Sequence, residues 1–367
     1  MSGTLHSNLG KTILSLVAVM LMFFSSSVID VSANSSLALP GPINQSWVNQ
    51  ELVNWQPTTI APIGFGAVLQ TASYANIYEN SISVINSDLA MLVSSGVRSV
   101  RIDVDFDPWL QNNAQMIAKM NTVVQLIRGD GLKLIIADAS AESYRDGGQV
   151  TWTKFQSAWV QRVQTLASAY HPDYYIVIKE PAWYLPMISD SSSNPQVQNS
   201  SSWLNLTRQL TSAAHAVSPQ TLVGISVGAD GVGTKPSFYY PYLSGVESQT
   251  GVTFLGFDIY DSFGFKSTQN FLGRIGNGGK SVWIAEAWSS GNISTAFNPA
   301  NSQLDAGWIK VLYYFAESQV HAQMIVPFYT NNFAQYNSEN SVPSSSFFAS
   351  RQPVFYSYQS LITTSKQ

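Results

Sequence analysis

Residues 174–181 read Tyr-Tyr-Ile-Val-Ile-Lys-Glu-Pro. Five apolar, mostly β-branched or aromatic positions run without a polar break, and two charges and a proline then end the run. A strand with no polar alternation is buried on both faces, the pattern of a parallel sheet covered by helices. The charges that close it stand at its C-terminal end.

Seven other stretches share this pattern: residues 63–69, 97–104, 132–137, 221–227, 252–259, 281–285 and 323–328. Successive strands start 29 to 47 residues apart. Each interval has room for one strand, one helix and two loops. Helix-period segments fill the intervals at 81–94, 113–128, 154–170, 203–217 and 304–318, and 347–362 reads as the last helix. An alternating βα chain is either doubly wound or a closed barrel, and eight units favour the (β/α)8 barrel. A doubly wound nucleotide binder would show G-x-G-x-x-G between its first strand and helix. Here the first strand carries only Gly64-Phe65-Gly66, and no helix opens at the required place. Gly276-Asn277-Gly278-Gly279 precedes a strand and reads as a turn. The expected fold class is α/β, a single (β/α)8 TIM barrel over residues 63–367. Residues 34–62 are expected to be an N-terminal extension packed on it.

Composition narrows the function. Charged residues make up 11% of the 367, against about 25% in ordinary soluble domains. The net charge is −4, which excludes a basic nucleic-acid footprint. The chain has no cysteine, so a disulfide framework, a thiolate nucleophile and a cysteine metal site are all excluded. Of the four histidines, His171 and His321 precede strands, His215 lies in a helix and His6 lies near the N-terminus. None is expected at the C-terminal mouth of the barrel, which disfavours a histidine-based metal site; no metal and no cofactor are expected.

Residues 1–33 combine a lysine-bearing start, a 13-residue mostly apolar run at 12–24 and a small-residue end, Val31-Ser32-Ala33. This is the pattern of a secretory signal peptide. The run is short of the roughly 20 residues a membrane span needs. The expectation is a secreted protein, membrane-anchored only if the segment is retained.

In a barrel of this kind the chemistry sits at the C-terminal strand ends. Of the eight glutamates, only Glu180 and Glu286 fall there, closing the fourth and seventh strands. Two carboxylates flanking an acetal can divide the roles of acid and nucleophile. Each glutamate alone could instead belong to a buried ion pair. Aromatics crowd the same loops, with Trp183, Trp288 and Tyr329 closest to strand ends. Such rings can stack on the apolar faces of sugars, or pack as a lid.

Taken together, these features resemble the large clan of retaining glycoside hydrolases built on this barrel, notably its cellulase- and mannanase-like families. In that clan an acid/base glutamate ends strand four, usually as Asn-Glu-Pro, and a nucleophile glutamate ends strand seven. The resemblance implies that Glu180, followed by Pro181, is the acid/base and Glu286 the nucleophile. It implies that Arg101, in Val97-Arg98-Ser99-Val100-Arg101-Ile102, and Tyr260, in Asp258-Ile259-Tyr260, bond the nucleophile. Lys179 stands where the clan has asparagine. A cation there is expected to lower the pKa of Glu180, and to bond substrate or pair with Asp138. The candidate substrate-site set is therefore Arg101, Asp138, Lys179, Trp183, Tyr260, Trp288 and Tyr329. The expected activity is retaining, endo-acting hydrolysis of a β-linked polysaccharide or oligosaccharide. Two alternatives stand beside it: a non-catalytic carbohydrate-binding barrel, and a lyase forming a Schiff base on Lys179.

Overall fold

The computed structural model describes residues 43–58, 61–74, 76–104, 113–138, 150–181, 188–287, 302–327 and 353–365. Eight strands pair in sequence order, all parallel, into a closed barrel. They are β1 (Gly64–Val68), β2 (Ser99–Val104), β3 (Lys133–Asp138), β4 (Tyr174–Lys179), β5 (Leu222–Gly228), β6 (Val252–Ile259), β7 (Ser281–Ala287) and β8 (Met324–Ile325). The fold is the (β/α)8 barrel expected from the strand count. The last strand is shorter than the apolar run suggests, but its ladder continues: Val326 N–H donates to Ile284 O at 2.8 Å.

The described helices are α1 (Gln45–Asn54), α2 (Asn76–Glu79), α3 (Ile82–Ser95), α4 (Ala114–Gly129), α5 (Trp152–Tyr170), α6 (Ser200–Val217), α7 (Ala229–Thr234), α8 (Pro236–Glu247), α9 (Ser262–Ile275), α10 (Ser302–Ser318) and α11 (Pro353–Thr364). Their ends follow side-chain chemistry. Ser81 Oγ accepts from Val84 N–H at the start of α3, and Gly96, at φ 92°, ends it in the left-handed region that glycine tolerates. Asp261 Oδ1 accepts from Gly264 N–H at 2.7 Å and starts α9.

Alternate strand positions build two cores. The outer one lies between sheet and helices and holds most of the buried side chains, including Val100, Ile102, Leu134, Ile136, Tyr175 and Ile284. The inner one fills the barrel with Val68, Ile135, Ala137, Ile176, Phe254, Trp283, Ala285, Met324 and Val326. Phe254 and Trp283 stack at 3.9 Å between centroids, and Tyr174 meets Trp283 edge-on at 4.9 Å. Gly224 leaves the space for this layer, since a Cβ there would sit 2.3 Å from two carbons of the Phe254 ring.

Two irregularities in strand pairing aim the charged residues. Between β4 and β5, Ile176 pairs with Gly224 and Ile178 with Ile225, so Val177 is an extra residue. Val177 and Ile178 both face the outer core, and Lys179 turns inward. Between β6 and β7, Phe257 pairs with Ile284 and Asp258 with Glu286, so Ala285 is extra. Ala285 belongs to the inner core, and Glu286 follows it inward. A bulge re-aims the side chains beyond it, and here it does so on β4, which Glu180 follows, and on β7, which carries Glu286.

Outside the barrel, α1 lies against α10. A Cβ on Gly307 would meet Val48 Cγ1 at 2.7 Å, and Trp55 packs on Phe265 and Phe315. Among the described residues no helix is long and apolar enough to cross a membrane.

Candidate active site

Arg101 and Asp103 are two apart on β2 and so share its inner face. Both are fully buried. The Arg101 guanidinium grips Asp103 through Nε on Oδ1 and through Nη2 on Oδ2, the latter at 2.8 Å. Its Nη1 donates to Ala285 O at 2.5 Å, and Nη2 also reaches Glu286 Oε2 at 2.9 Å. Asp103 Oδ2 further accepts from Tyr74 Oη at 2.6 Å and Lys179 Nζ at 3.0 Å. Burial pushes the Asp103 carboxyl up, but Arg101 and Lys179 outweigh it and hold the group at about 2.

Glu286 is 3% exposed. Its Oε2 faces two cations, Arg101 Nη2 and Lys179 Nζ, each at 2.9 Å. Its Oε1 accepts from Tyr260 Oη at 2.7 Å. Glu180 lies across the mouth in a different setting. It closes β4 at φ 51°, left-handed backbone that is uncommon for a residue with a side chain. Its N–H donates to Ser226 O at 2.8 Å. Its Oε1 passes so close to Gly228 that a Cβ there would lie 2.9 Å away. Burial pushes the Glu180 carboxyl up, the charge of Glu286 adds to this, and Asp230 contributes further. Lys179 and the Tyr260 hydrogen bond pull the other way but lose, and the group titrates at about 7.

Tyr260 Oη is 2.7 Å from Glu286 Oε1 and 3.1 Å from Glu180 Oε1, so those two oxygens lie within about 5.8 Å of each other. For this pair of oxygens, that bound is compatible with the ~5–5.5 Å spacing of carboxyl groups that work through a covalent intermediate. Tyr260 has one hydrogen to give. Given to Glu286, it leaves the phenol oxygen to accept from a protonated Glu180. Glu286 then carries charge and Glu180 carries a proton, the division a glycosidic bond requires.

Asp258, on the inner face of β6, is fully buried. Ser226 Oγ donates to its Oδ2 at 2.9 Å, while its Oδ1 has no hydrogen-bond partner among the described residues. Burial raises its pKa well above the usual range, and Glu286 and Glu180 raise it further. With Asp258 and Glu180 protonated, Arg101 and Lys179 balance Asp103 and Glu286.

Of the expected site residues, the structure brings Glu180, Glu286, Arg101, Lys179 and Tyr260 together. Asp138 is not among them. It faces the outer core, where Arg162 Nε binds its Oδ1 at 3.0 Å and Tyr175 Oη donates to its Oδ2 at 3.1 Å. It is a structural anchor between β3 and α5, and Lys179 pairs with Asp103 instead of Asp138. Lys179 does lower the Glu180 pKa, as expected, but burial and the charge of Glu286 raise it by more. A Schiff-base role for Lys179 fits poorly. Its ammonium lies against Asp103, Glu286 and Tyr74 Oη. Burial favours the neutral amine, but Asp103 and Glu286 overcome it and raise its pKa, the reverse of what a nucleophilic amine requires. Trp183, Trp288 and Tyr329 lie outside the described residues.

The sequence reading missed Tyr74, whose only signal is that it follows the first strand by a few residues. It also missed Ser226 and Gly228, which carry no charge to attract notice.

No protein-family model matches the chain, and no curated protein matches it. Solved structures do match. The exo-β-1,4-mannosidase Op5Man5 from Opitutaceae bacterium strain TAV5 is 15% identical, with a TM-score of 0.52, over 72% of this chain and 52% of that one. The chain thus spans about half the length of that mannosidase. A GH5_18 protein from Streptomyces cattleya, solved in complex with GlcNAc, is 12% identical at a TM-score of 0.57, covering 84% of this chain and 82% of that one. A family 1 β-glucosidase from Thermotoga maritima, in complex with isofagomine lactam, is 9% identical at a TM-score of 0.55, covering 84% and 98%. The likeness is one of fold. The barrel is the one on which these glycosidases are built.

Proposed function

We propose that the protein is a secreted retaining glycoside hydrolase that cleaves a β-linked glycan by double displacement. The observation that carries this reading is one phenol hydroxyl, Tyr260 Oη, within hydrogen-bond reach of both Glu180 and Glu286. In the first step Glu286 Oε attacks the anomeric carbon. The glycosidic C–O bond breaks, and the Glu180 proton passes to the leaving oxygen. In the second step the Glu180 carboxylate takes a proton from water, the water oxygen bonds to the anomeric carbon, and Glu286 leaves. Two inversions return the original anomeric configuration. Arg101 and Tyr260 hold the nucleophile in place. No step calls for a metal or an organic cofactor.

The glycosidases that share the fold support this choice of chemistry, and the apolar, small-residue-terminated segment 1–33 supports secretion. The aromatic residues that crowd the strand-end loops in the sequence, Trp183, Trp288 and Tyr329 among them, are the ground for proposing endo-action. The partner is then a polysaccharide or oligosaccharide. The test is hydrolysis of a panel of β-glucans, mannans, xylans and galactans by the wild type, Glu180→Ala and Glu286→Ala. Both variants are expected to lose at least ~10³-fold in turnover, and azide is expected to restore turnover to Glu286→Ala. Full activity in either variant rejects the proposal.

A further inference from the structure

Lys179 is the one described residue that is bonded to one member of the carboxylate pair and covalently adjacent to the other. Its Nζ lies 2.9 Å from Glu286 Oε2 and 3.0 Å from Asp103 Oδ2, and it donates to Tyr74 Oη as well. Tyr74 Oη and Asp103 Oδ2 accept hydrogen bonds from the ammonium, and Glu286 forms an ion pair with it. The side chain is 9% exposed and reaches this position only through the extra residue Val177 in β4. A cation held this way is engaged by two carboxylates and a phenol inside the barrel mouth.

We propose that Lys179 is a positioning residue, the shared counter-charge of Glu286 and Glu180, and not a substrate contact. The proposal rests on the hydrolase reading above and adds a role for the one residue that departs from the clan. During glycosyl transfer the negative charge leaves Glu286, which becomes an ester, and appears on Glu180, which has given up its proton. A fixed cation paired with Glu286, on the residue that precedes Glu180, opposes the creation of an unpaired buried charge during that transfer. The groups facing this pair are Tyr74 from the segment after β1, Arg101 and Asp103 from β2, Asp230 from the start of α7, Asp258 and Tyr260 from β6 and its end, and Glu286 from β7. Of these, only Arg101 carries positive charge, and its side chain is directed to Asp103, Ala285 O and Glu286. Among the described residues, Lys179 is thus the cation that also acts on Glu180.

The test follows the titration of Glu180 directly. The chain has only eight glutamates, so carbon-13 labelling of their carboxyls gives few NMR signals, and Glu180→Gln assigns the one of interest. The full-length protein is compared with Lys179→Met and Lys179→Arg. Lys179→Met is expected to titrate Glu180 at a pH higher by about one unit or more, with Lys179→Arg near the wild type. The alkaline limb of activity should move the same way, with kcat reduced and KM little changed. A titration unmoved in Lys179→Met, with KM raised and kcat intact, overturns the proposal and makes Lys179 a substrate contact. If Lys179→Met does not fold, Lys179→Gln is read by the same two outcomes. The NMR readout does not need turnover, so a wild type without hydrolase activity would reject the function without deciding the role of Lys179.

Discussion

Glu180 and Glu286 are the same residue type at the same place on two strands of one barrel, and their neighbours make them different. Glu286 has Arg101 and Lys179 on one oxygen and Tyr260 on the other. Glu180 has burial and the charge of Glu286 acting on it, and titrates at about 7. The proposed hydrolysis needs Glu180 protonated in its first step. Activity is therefore expected to fall as pH rises through about 7, as measured by the alkaline limb of kcat/KM. The same group has a consequence for stability. Its folded pKa lies above the ordinary 4.5, so the folded state binds the proton more tightly than the unfolded one. Stability from this group is fully present below 4.5 and is lost as pH rises to about 7. Glu180→Gln removes that loss. Its Tm is expected to exceed that of the wild type above neutral pH and to match it in acid, while activity collapses. Asp103 has the opposite sign. Its pKa falls from 3.8 to about 2, so its contribution is present above 3.8 and is lost as pH falls through about 2.

At the scale of elements, the strands were legible because each is an apolar run with a clear end, and the two glutamates were legible because each stands at such an end. The aim of the side chains was not. Strict alternation from Tyr174 would put Lys179 on the outer face, the face on which Asp138 meets Arg162 and Tyr175. The bulge at Val177 turns it inward to Asp103. Nothing in Tyr-Tyr-Ile-Val-Ile marks that extra residue, because an isoleucine satisfies either face. The β5–α7 junction offers a direct probe of aim. Gly228 has φ −60°, which alanine adopts without strain. A Cβ there would stand 2.9 Å from both Glu180 Oε1 and Asp230 Oδ1. Gly228→Ala is expected to fold with a nearly unchanged Tm and to lose roughly tenfold or more in kcat/KM, because a misplaced catalytic group slows the reaction steeply. Steady-state kinetics beside a thermal melt separates the two effects.

At the scale of the whole molecule, eight βα units predicted the closed barrel from count and spacing alone, since few other topologies accommodate them. The packing that lets the barrel close was less visible. The Phe254–Trp283 stack fills the interior against Gly224, and a glycine within an apolar run gives no hint of what lies across from it. Gly224→Ala would drive a methyl group into the Phe254 ring. Overpacking of this kind costs about 1–3 kcal/mol, so a Tm lower by several degrees is expected, with the pH profile of activity unchanged. The Arg162–Asp138 pair ties α5 to β3 at full burial. Arg162→Met would remove the cation bonded to Asp138 Oδ1, and a loss of stability of up to about 3–5 kcal/mol is expected, readable by chemical denaturation. The low overall charge gives this arrangement its contrast. Where only 11% of residues are charged, gathering Arg101, Asp103, Lys179, Glu180, Asp258 and Glu286 at one barrel mouth sets that region apart from the rest of the chain.

The central claim is that Glu286 forms a bond to sugar while Glu180 supplies the proton. The most direct measurement is peptide mapping by mass spectrometry after incubation with activated 2-deoxy-2-fluoro β-glycosides of gluco and manno configuration, which slow release of a glycosyl-enzyme. The account predicts a stoichiometric adduct on Glu286, abolished in Glu286→Gln. An adduct on Glu180 or another side chain, or hydrolysis that proceeds with inversion and leaves Glu286 unmodified, would contradict it.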